Sequence, residues 1–138
     1  MDTPTFDKPL PESTAETRPF WDGLKNHKLV LQRCSGCKKV RHYPRPMCDQ
    51  CFSFECEWME ASGKGTVHSW TVAHHPFHMG FKKDLPYVVL TIDLEEGVRM
   101  VAPLDGGNED DLKIGLPVRI GFEQVNDEIT LPRFRIDE

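Results

Sequence analysis

The sequence predicts a mainly β fold, in which short strands and loops outnumber helices. Three features lead to this prediction. Eleven prolines stand among the 138 residues, more than the average of about 5% would give, and proline interrupts long helices. Two C-x-x-C pairs lie close together in the first half of the chain. Beyond them, five strand-like runs follow one another between turn signals.

The length limits the chain to one ordinary domain or two very small ones, which excludes a large multidomain enzyme. The hydrophobic fraction of 38% is typical of a globular chain once glycine is added. No apolar run approaches the roughly 20 residues of a membrane span. The first residues also lack the basic-then-apolar order of a signal peptide. We therefore expect a cytoplasmic protein without membrane contact.

Charge is unevenly distributed along the chain. Residues 25–45 hold seven basic side chains and no acidic one, which gives +7 there and −12 elsewhere within a net charge of −5. This asymmetry favours a surface that meets an anion or an acidic partner, on a body that repels bulk nucleic acid. The alternative is that these bases merely offset local negative charge. The seven are Lys25, Lys28, Arg33, Lys38, Lys39, Arg41 and Arg45.

The N-terminal region divides into an arm and a helix. Residues 1–17 contain three prolines and little to bury, which predicts a flexible arm. Residues 17–28 predict a short amphipathic helix, because Pro19 can occupy its first position. Three apolar side chains then share one helix face. They are Phe20, Trp21 and Leu24.

Four of the five cysteines form the strongest signal in the sequence. Two C-x-x-C turns, separated by ten residues, can place four sulfurs around one zinc ion at about 2.3 Å. A disulfide is disfavoured in a cytosolic chain, and a redox C-x-x-C motif is expected once rather than twice. The spacing therefore predicts a structural four-thiolate zinc site, with iron in the same geometry as the main alternative. The ligands are Cys34, Cys37, Cys48 and Cys51.

Such a site has no open coordination position, so it builds structure and does not activate water. Its net charge is about −2, and we expect four nearby bases to offset it. These are Arg33, Lys38, Lys39 and Arg41. The fifth cysteine, Cys56, stands near Phe54 and Trp58 and is expected to be a buried, inert thiol.

Short strands are predicted on both sides of a glycine-containing turn at residues 62–65. Three extended segments are predicted before this turn, at residues 29–32, 40–43 and 55–60. Five further runs follow, at 65–74, 87–94, 98–104, 117–125 and 128–136. Residues 108–112 form at most a capped helical turn between the third and fourth of these runs. This order is that of a five-stranded OB-fold barrel, with a plain antiparallel sandwich as the alternative.

Three histidines stand in an apolar loop. On a helix, His74 and His78 would face the same way, as metalloprotease histidines do, but Pro76 between them disfavours a helix. Residues 74–81, which include His75, are instead predicted to join the first two barrel strands, where OB-folds commonly present a ligand face. The loop also carries three apolar side chains, for which contact with a ligand or another protein is preferred to local packing. They are Phe77, Met79 and Phe81.

The sequence contains no G-x-S-x-G, G-x-x-x-x-G-K or G-x-G-x-x-G motif, and no Cys-His pair is convincing outside the metal site. Asp93, Glu95 and Glu96 are expected to be solvated rather than catalytic. No catalytic residue is predicted, and the chain is interpreted as a binding module.

The motifs resemble, in order and spacing, the family known as domain of unknown function thirty-five (DUF35). Its members join a rubredoxin-like zinc ribbon to an OB-fold. The resemblance implies a helix and ribbon over 18–61 and an OB-fold over 62–138, after the arm at 1–17. It is carried by residues 19–24, 31–37, 43–46, 48–51, 62–67, 70–72, 74–76, 86–89, 115–118 and 131–134.

Members of this family accompany thiolase-superfamily proteins, as in thiolases of the benzoylsuccinyl-CoA type, steroid side-chain aldolases and some acyltransferases. The resemblance therefore implies a non-catalytic subunit that holds or encloses an acyl-CoA thioester beside a partner's active site. Whether the chain counts as an enzyme is left open. Residues implied to contact partner or CoA are Phe20, Trp21, Lys38, Arg41, Arg45, Trp70, His74, His75, Phe77 and Phe81.

Two other functions stay open at this point. Zinc ribbons and OB-folds also serve in single-stranded nucleic-acid binding, although the −12 charge outside the basic segment weighs against it. A free acyl-CoA carrier would bind CoA without a partner.

Overall fold

The computed structural model describes residues 8–76 and 78–137. Residues 1–7 of the predicted arm lie outside this range. Helix α1 spans Arg18–Lys25, with a proline in its first turn and with Phe20 and Leu24 buried on one face. The helix begins one residue later and ends three residues earlier than predicted. It ends at Lys25 because the next turn closes through His27, whose φ of 60° is left-handed, a conformation that terminates helices.

Three short strands form the first sheet: β1 Val30–Cys34, β2 Val40–Arg41 and β3 Cys56–Glu60. Their order is β2-β1-β3, and both pairings are antiparallel. The register places Gln32 opposite Arg41 in β2 and Cys34 opposite Cys56 in β3. β2 is only two residues long, so the predicted extended run at 40–43 is shortened. The sheet presents Cys34 at the end of its central strand.

The five predicted barrel strands are all present and form one antiparallel sheet in the order β6-β5-β4-β7-β8. A parallel bridge between Leu104 and Phe134, backed by a bond from the Asp105 amide to the Phe134 carbonyl at 2.7 Å, nearly closes this sheet into a barrel. The OB-fold prediction is confirmed, and the sandwich alternative is wrong, because the five barrel strands within the described residues form one sheet and not two packed sheets. The strands are β4 Lys64–Ala73, β5 Tyr87–Leu94, β6 Arg99–Pro103, β7 Pro117–Gln124 and β8 Thr130–Ile136.

Two 3₁₀ segments interrupt the connections of the barrel. The predicted helical turn is confirmed as Glu109–Asp111, where the Asn108 side chain accepts a bond from the Asp110 amide at 3.2 Å. The loop between β4 and β5 contains a second segment, Met79–Asp84, which the sequence did not predict. It begins at His78, whose Nδ1 accepts a bond from the Gly80 amide at 2.9 Å. The loop is therefore partly ordered by its own backbone.

One apolar core runs through both sheets. Phe20 and Leu24 of α1 and Leu31 of β1 belong to the same buried cluster as Leu90 and Phe134 of the barrel. The division of the chain at residues 61 and 62 stays a prediction, since both sides contribute to this core. No helix in the described part of the chain is long and apolar enough to cross a membrane.

β4 passes very close to β5 at Gly65. A side-chain carbon there would lie 2.6 Å from the carbonyl oxygen of Asp93 and 2.7 Å from a methyl group of Ile92. Glycine is needed because these atoms belong to the paired strand and its core side chain and leave no room for a Cβ. The close approach holds the first two barrel strands together at the end nearer to the ribbon.

Candidate functional site

The four predicted cysteines come together at one point. Their sulfur atoms all lie within 4.8 Å of one another, with 3.4 Å between Cys34 and Cys51 and 3.6 Å between Cys37 and Cys48. A tetrahedral zinc ion with bonds of about 2.3 Å separates its sulfur ligands by about 3.8 Å. The donor set therefore fits a structural zinc ion, held by two buried sulfurs, of Cys34 and Cys48, and two exposed ones.

The two cysteine turns are built alike. The Lys38 amide donates to the Cys34 carbonyl at 2.9 Å, and the Phe52 amide donates to the Cys48 carbonyl at 3.0 Å. Lys38 and Phe52 also share left-handed φ values of 67° and 63°. The first turn comes close to the second at Gly36, where a Cβ would lie 3.4 Å from the sulfur of Cys51. The repeated turn explains why the C-x-x-C spacing recurs.

Backbone amides favour ionised sulfur at this site. The Cys37 amide, which donates to Cys34 Sγ at 3.5 Å, is the main cause that lowers the pKa of Cys34 to about 6. The pKa of Cys48 is lowered as well, chiefly by the Cys51 amide. For Cys37, the Lys39 amide lowers the pKa, but desolvation and the neighbouring sulfurs outweigh it and raise the pKa to about 11. A bound zinc ion would supply the positive charge that allows Cys37 to ionise beside its neighbouring sulfurs.

The bases beside the cysteines are mostly paired with carboxylates. Arg33 Nε donates to Glu57 Oε1 at 2.8 Å, and Lys38 reaches the same oxygen at 3.2 Å; both hold the pKa of Glu57 below its ordinary value. Lys39 pairs with Asp49 at 2.8 Å. The expected role of these bases in offsetting thiolate charge is therefore shared with carboxylates. The same pairing reduces the free positive surface on which the nucleic-acid alternative depends.

Cys56 differs from its prediction. Its side chain is half-buried rather than buried, and its sulfur lies 3.3 Å from Nε2 of Gln32, which donates to it. Phe54, expected to cover it, is 75% exposed. The prediction failed because β3 begins only at Cys56, so Phe54 lies in the preceding loop and not on a strand that faces the core.

The predicted partner and CoA contacts occupy different environments. Phe20 is 2% exposed and Arg41 is 6% exposed, so neither side chain lies on the outer surface of this chain, although Arg41 contributes to the lining of a pocket. Trp21, Trp70 and Phe81 are half-buried. Phe77 lies outside the described residues. The exposed members are Lys38, Arg45, His74 and His75.

The loop between β4 and β5 forms one wall of a groove of about 800 Å³. Phe81 stacks on Tyr87 at 5.4 Å, and Lys8 lies over the Phe81 ring at 5.7 Å. Phe81 thus packs locally as well as lining the groove, whereas Met79 is 72% exposed.

The lining of this groove also contains a residue that sequence reasoning missed. Arg133 of β8 donates to Glu123 at 2.9 Å and to the Leu104 carbonyl at 3.3 Å. Arg133 lies in the 131–134 segment that carries the family resemblance, but that segment does not indicate its partners, which come from β7 and from the end of β6. The lining of the groove therefore combines the aromatic rings of Phe81 and Tyr87 with a cation that is fixed by hydrogen bonds.

His42 provides a pH-dependent element near the ribbon. Its ring lies 5.2 Å from that of Phe20, and burial lowers the pKa of His42 from 6.5 to about 4. As the pH falls below 6.5, the His42 ring binds a proton in the unfolded chain but stays neutral in the folded chain. The free energy of unfolding therefore decreases progressively between pH 6.5 and pH 4.

We expect the wild-type chain to lose about 2 kcal/mol more stability between pH 7.5 and pH 5 than His42→Phe loses, because phenylalanine has no proton to bind. Urea unfolding of both proteins at the two pH values measures the difference. Acid release of metal affects both chains and cancels in the comparison. Equal losses in the two proteins would show that burial does not suppress His42 protonation.

The fold and the four-cysteine centre together define a zinc-ribbon protein with an OB-fold barrel. Residues 21–57 match the family model for the ChsH2 rubredoxin-like zinc ribbon domain, and residues 58–123 match that for the ChsH2 C-terminal OB-fold domain. The chain also shares 41% identity and a TM-score of 0.82 with a solved chain of the Ltp2-ChsH2(DUF35) aldolase, covering 92% of this chain and 98% of that chain. The chain belongs to the DUF35 family.

Curated relatives agree with this membership. A probable enoyl-CoA hydratase alpha subunit from Thermomonospora curvata is 41% identical over 128 residues, 93% of this chain and 40% of the relative. The 3-oxo-4,17-pregnadiene-20-carboxyl-CoA hydratase alpha subunit from Mycobacterium tuberculosis is 40% identical over 112 residues, 81% of this chain and 35% of the relative. The chain therefore spans well under half the length of these two hydratase subunits. A DUF35 domain-containing scaffold protein from Methanocaldococcus jannaschii is 32% identical over 110 residues, 78% of this chain and 77% of the relative.

Proposed function

We propose that the chain is a zinc-containing, non-catalytic subunit of a thiolase-superfamily enzyme complex that acts on acyl-CoA thioesters. The reaction class is carbon–carbon cleavage, by thiolysis or retro-aldol chemistry, of an aromatic or steroid acyl-CoA. The observation that carries the proposal is the likeness, at 41% identity over 98% of its length, to a chain of the Ltp2-ChsH2(DUF35) aldolase. The CoA thioesters in the names of the hydratase subunits support the same substrate class.

The chemistry of the described residues supports an accessory role. Among them, the cysteine cluster alone brings three or more metal-ligating side chains together, and a four-thiolate ion has no free position for substrate. Two acidic side chains of the ribbon already form ion pairs, since Glu57 binds Arg33 and Asp49 binds Lys39. We infer that the nucleophile and the acid–base groups belong to the partner.

The loop between β4 and β5 is the surface we assign to the partner. It exposes His74 and Met79, and it also supplies Phe81 to the lining of the groove. An exposed methionine on such a loop suits the apolar centre of an interface. The groove would then lie close to the partner's active site and help to enclose the acyl group of the substrate.

Co-expression tests the proposal. A thiolase-superfamily chain from the same host is co-expressed with this chain, which carries the affinity tag, and the purified material is analysed by size-exclusion chromatography with light scattering. We expect one peak that contains both chains in a fixed ratio. Separate elution, with the catalytic chain fully active by itself, contradicts the proposal. CoA binding by this chain without any partner would instead favour the free-carrier alternative.

Met79→Ala should weaken assembly at least tenfold while leaving the melting temperature unchanged, because Met79 is 72% exposed and buries little within the chain. Ile114→Ala is the matched control, since Ile114 is 78% exposed but lies in the loop before β7. The dissociation constant of each variant for the catalytic chain, measured by surface plasmon resonance, decides the point. Equal affinities of the two variants for the catalytic chain would show that the β4–β5 loop is not part of the interface.

A further inference from the structure

A second concave site lies between the ribbon and the barrel. It is a pocket of about 450 Å³. The ribbon supplies Arg41, Arg45 and Asp49 to its lining, and the β5–β6 hairpin supplies Asp93 and Arg99. The pocket is separate from the four sulfurs and from the groove beside Phe81, since it shares no lining residue with either.

Arg41 is a buried cation without a carboxylate partner in the described part of the chain. Its side chain is 6% exposed. Nε donates to the side-chain oxygen of Gln32, and Nη2 donates to the Arg45 carbonyl at 3.2 Å. Both acceptors are neutral, and Nη1 is buried with no hydrogen-bond partner among the described residues. A guanidinium stays charged at neutral pH, and a buried charge without a counter-charge is strongly unfavourable.

The neutral partner of Arg41 is itself fixed in place. Gln32 is 3% exposed, and its oxygen also accepts a bond from the Arg45 amide at 2.9 Å. Its amide nitrogen donates to the sulfur of Cys56 at 3.3 Å. The Gln32 side chain therefore has one defined orientation, and Arg41 is held against it. A guanidinium that is already oriented loses little entropy when it binds a ligand.

The side chains that line the pocket carry a net positive charge. Lys39 and Arg99 line the pocket but are paired with Asp49 and Asp93, each at 2.8 Å. Arg45 lines it as well, and its guanidinium forms no ion pair with the residues described. The two carboxylates therefore balance two of the four cations, and Arg41 and Arg45 leave a formal charge of +2.

We propose that this pocket binds a phosphate group, with Arg41 as its buried ligand and Arg45 as the side chain that closes over it. A dianion matches the uncompensated charge, and the planar fork of arginine suits phosphate oxygens. The group is either inorganic phosphate or the end of a larger phosphomonoester. This site is independent of the proposed function, because it needs neither the partner nor the acyl substrate.

Isothermal titration calorimetry on the zinc-loaded full chain tests the site with inorganic phosphate and with ribose 5-phosphate, at constant ionic strength in chloride buffer. We expect saturable binding at one site per chain and a raised melting temperature in phosphate relative to chloride. Amide shifts in 15N spectra should centre on residues 41–45 and 97–99. Tighter binding of ribose 5-phosphate assigns the esterified form, and equal or tighter binding of inorganic phosphate assigns the free ion.

Substitutions identify the ligands. Arg41→Gln and Arg45→Gln should each weaken phosphate binding at least tenfold, since each removes a charge-assisted contact. Arg135→Gln is the control, because Arg135 is an exposed cation on β8, a strand that contributes nothing to the pocket. If Arg41→Gln loses zinc or fails to fold, Arg45→Gln decides the question. The proposal is overturned if the wild-type chain does not bind phosphate. It is also overturned if Arg45→Gln binds with wild-type affinity and Arg41→Gln, where it folds, does the same.

Discussion

Cys34→Ser is expected to release the metal, unfold the ribbon and abolish binding to a catalytic partner. The Cys34 sulfur is buried at the end of β1 and accepts a bond from the Cys37 amide at 3.5 Å. Serine offers zinc a much poorer ligand, and metal binding supplies on the order of 10 kcal/mol to folding in small zinc modules. Zinc content by mass spectrometry should fall well below one ion per chain, with loss of dispersed ribbon resonances.

Cys56→Ser is the matched control for this prediction. Cys56 is opposite Cys34 in the sheet register but does not belong to the sulfur cluster. A serine hydroxyl can still accept the bond from Gln32, so this variant should keep its zinc and its fold. Full zinc content in Cys34→Ser, or equal zinc loss in both variants, would contradict the assignment of the four ligands.

Phe134→Ala should lower the free energy of unfolding by about 3–5 kcal/mol. Phe134 is fully buried, and its backbone forms the bridge to Leu104 that nearly closes the barrel. Truncation leaves a cavity at the point where α1, β1 and the barrel strands share one core. Since domains of this size are stable by about 5–15 kcal/mol in total, the loss is large, and urea denaturation at neutral pH measures it.

Phe54→Ala supplies the comparison, because the same side chain is 75% exposed at position 54. Its removal should change the unfolding free energy by no more than about 0.5 kcal/mol. A Phe134→Ala protein as stable as Phe54→Ala would show that the barrel and the N-terminal half do not depend on a common core.

The barrel could be predicted from sequence because its strands carry local signals. The alternation of Val118 with Arg119 marks β7, and the apolar run from Tyr87 marks β5. Each observed barrel strand lies within two residues of its predicted bounds. The zinc ligands were equally predictable, since each C-x-x-C turn is a local structure and chemistry requires two of them on one ion.

The remaining features depend on pairing between distant residues. Arg33 meets Glu57, and Gln32 meets Arg41, through the register of the first sheet, which no local pattern specifies. Arg41 was expected to serve the thiolates or a partner, yet it is buried against a neutral amide. The sequence therefore indicated the basic segment correctly. It could not show which basic side chains form ion pairs with carboxylates and which do not.

The most direct test of the subunit assignment is the rate of acyl-CoA cleavage at a fixed concentration of a thiolase-like chain, with this chain titrated into the assay. We predict no cleavage by this chain alone and a rate that rises to a plateau at a fixed molar ratio of the two chains, with Cys34→Ser giving no rise. A rate that is independent of this chain, or turnover by this chain without a partner, would contradict the assignment.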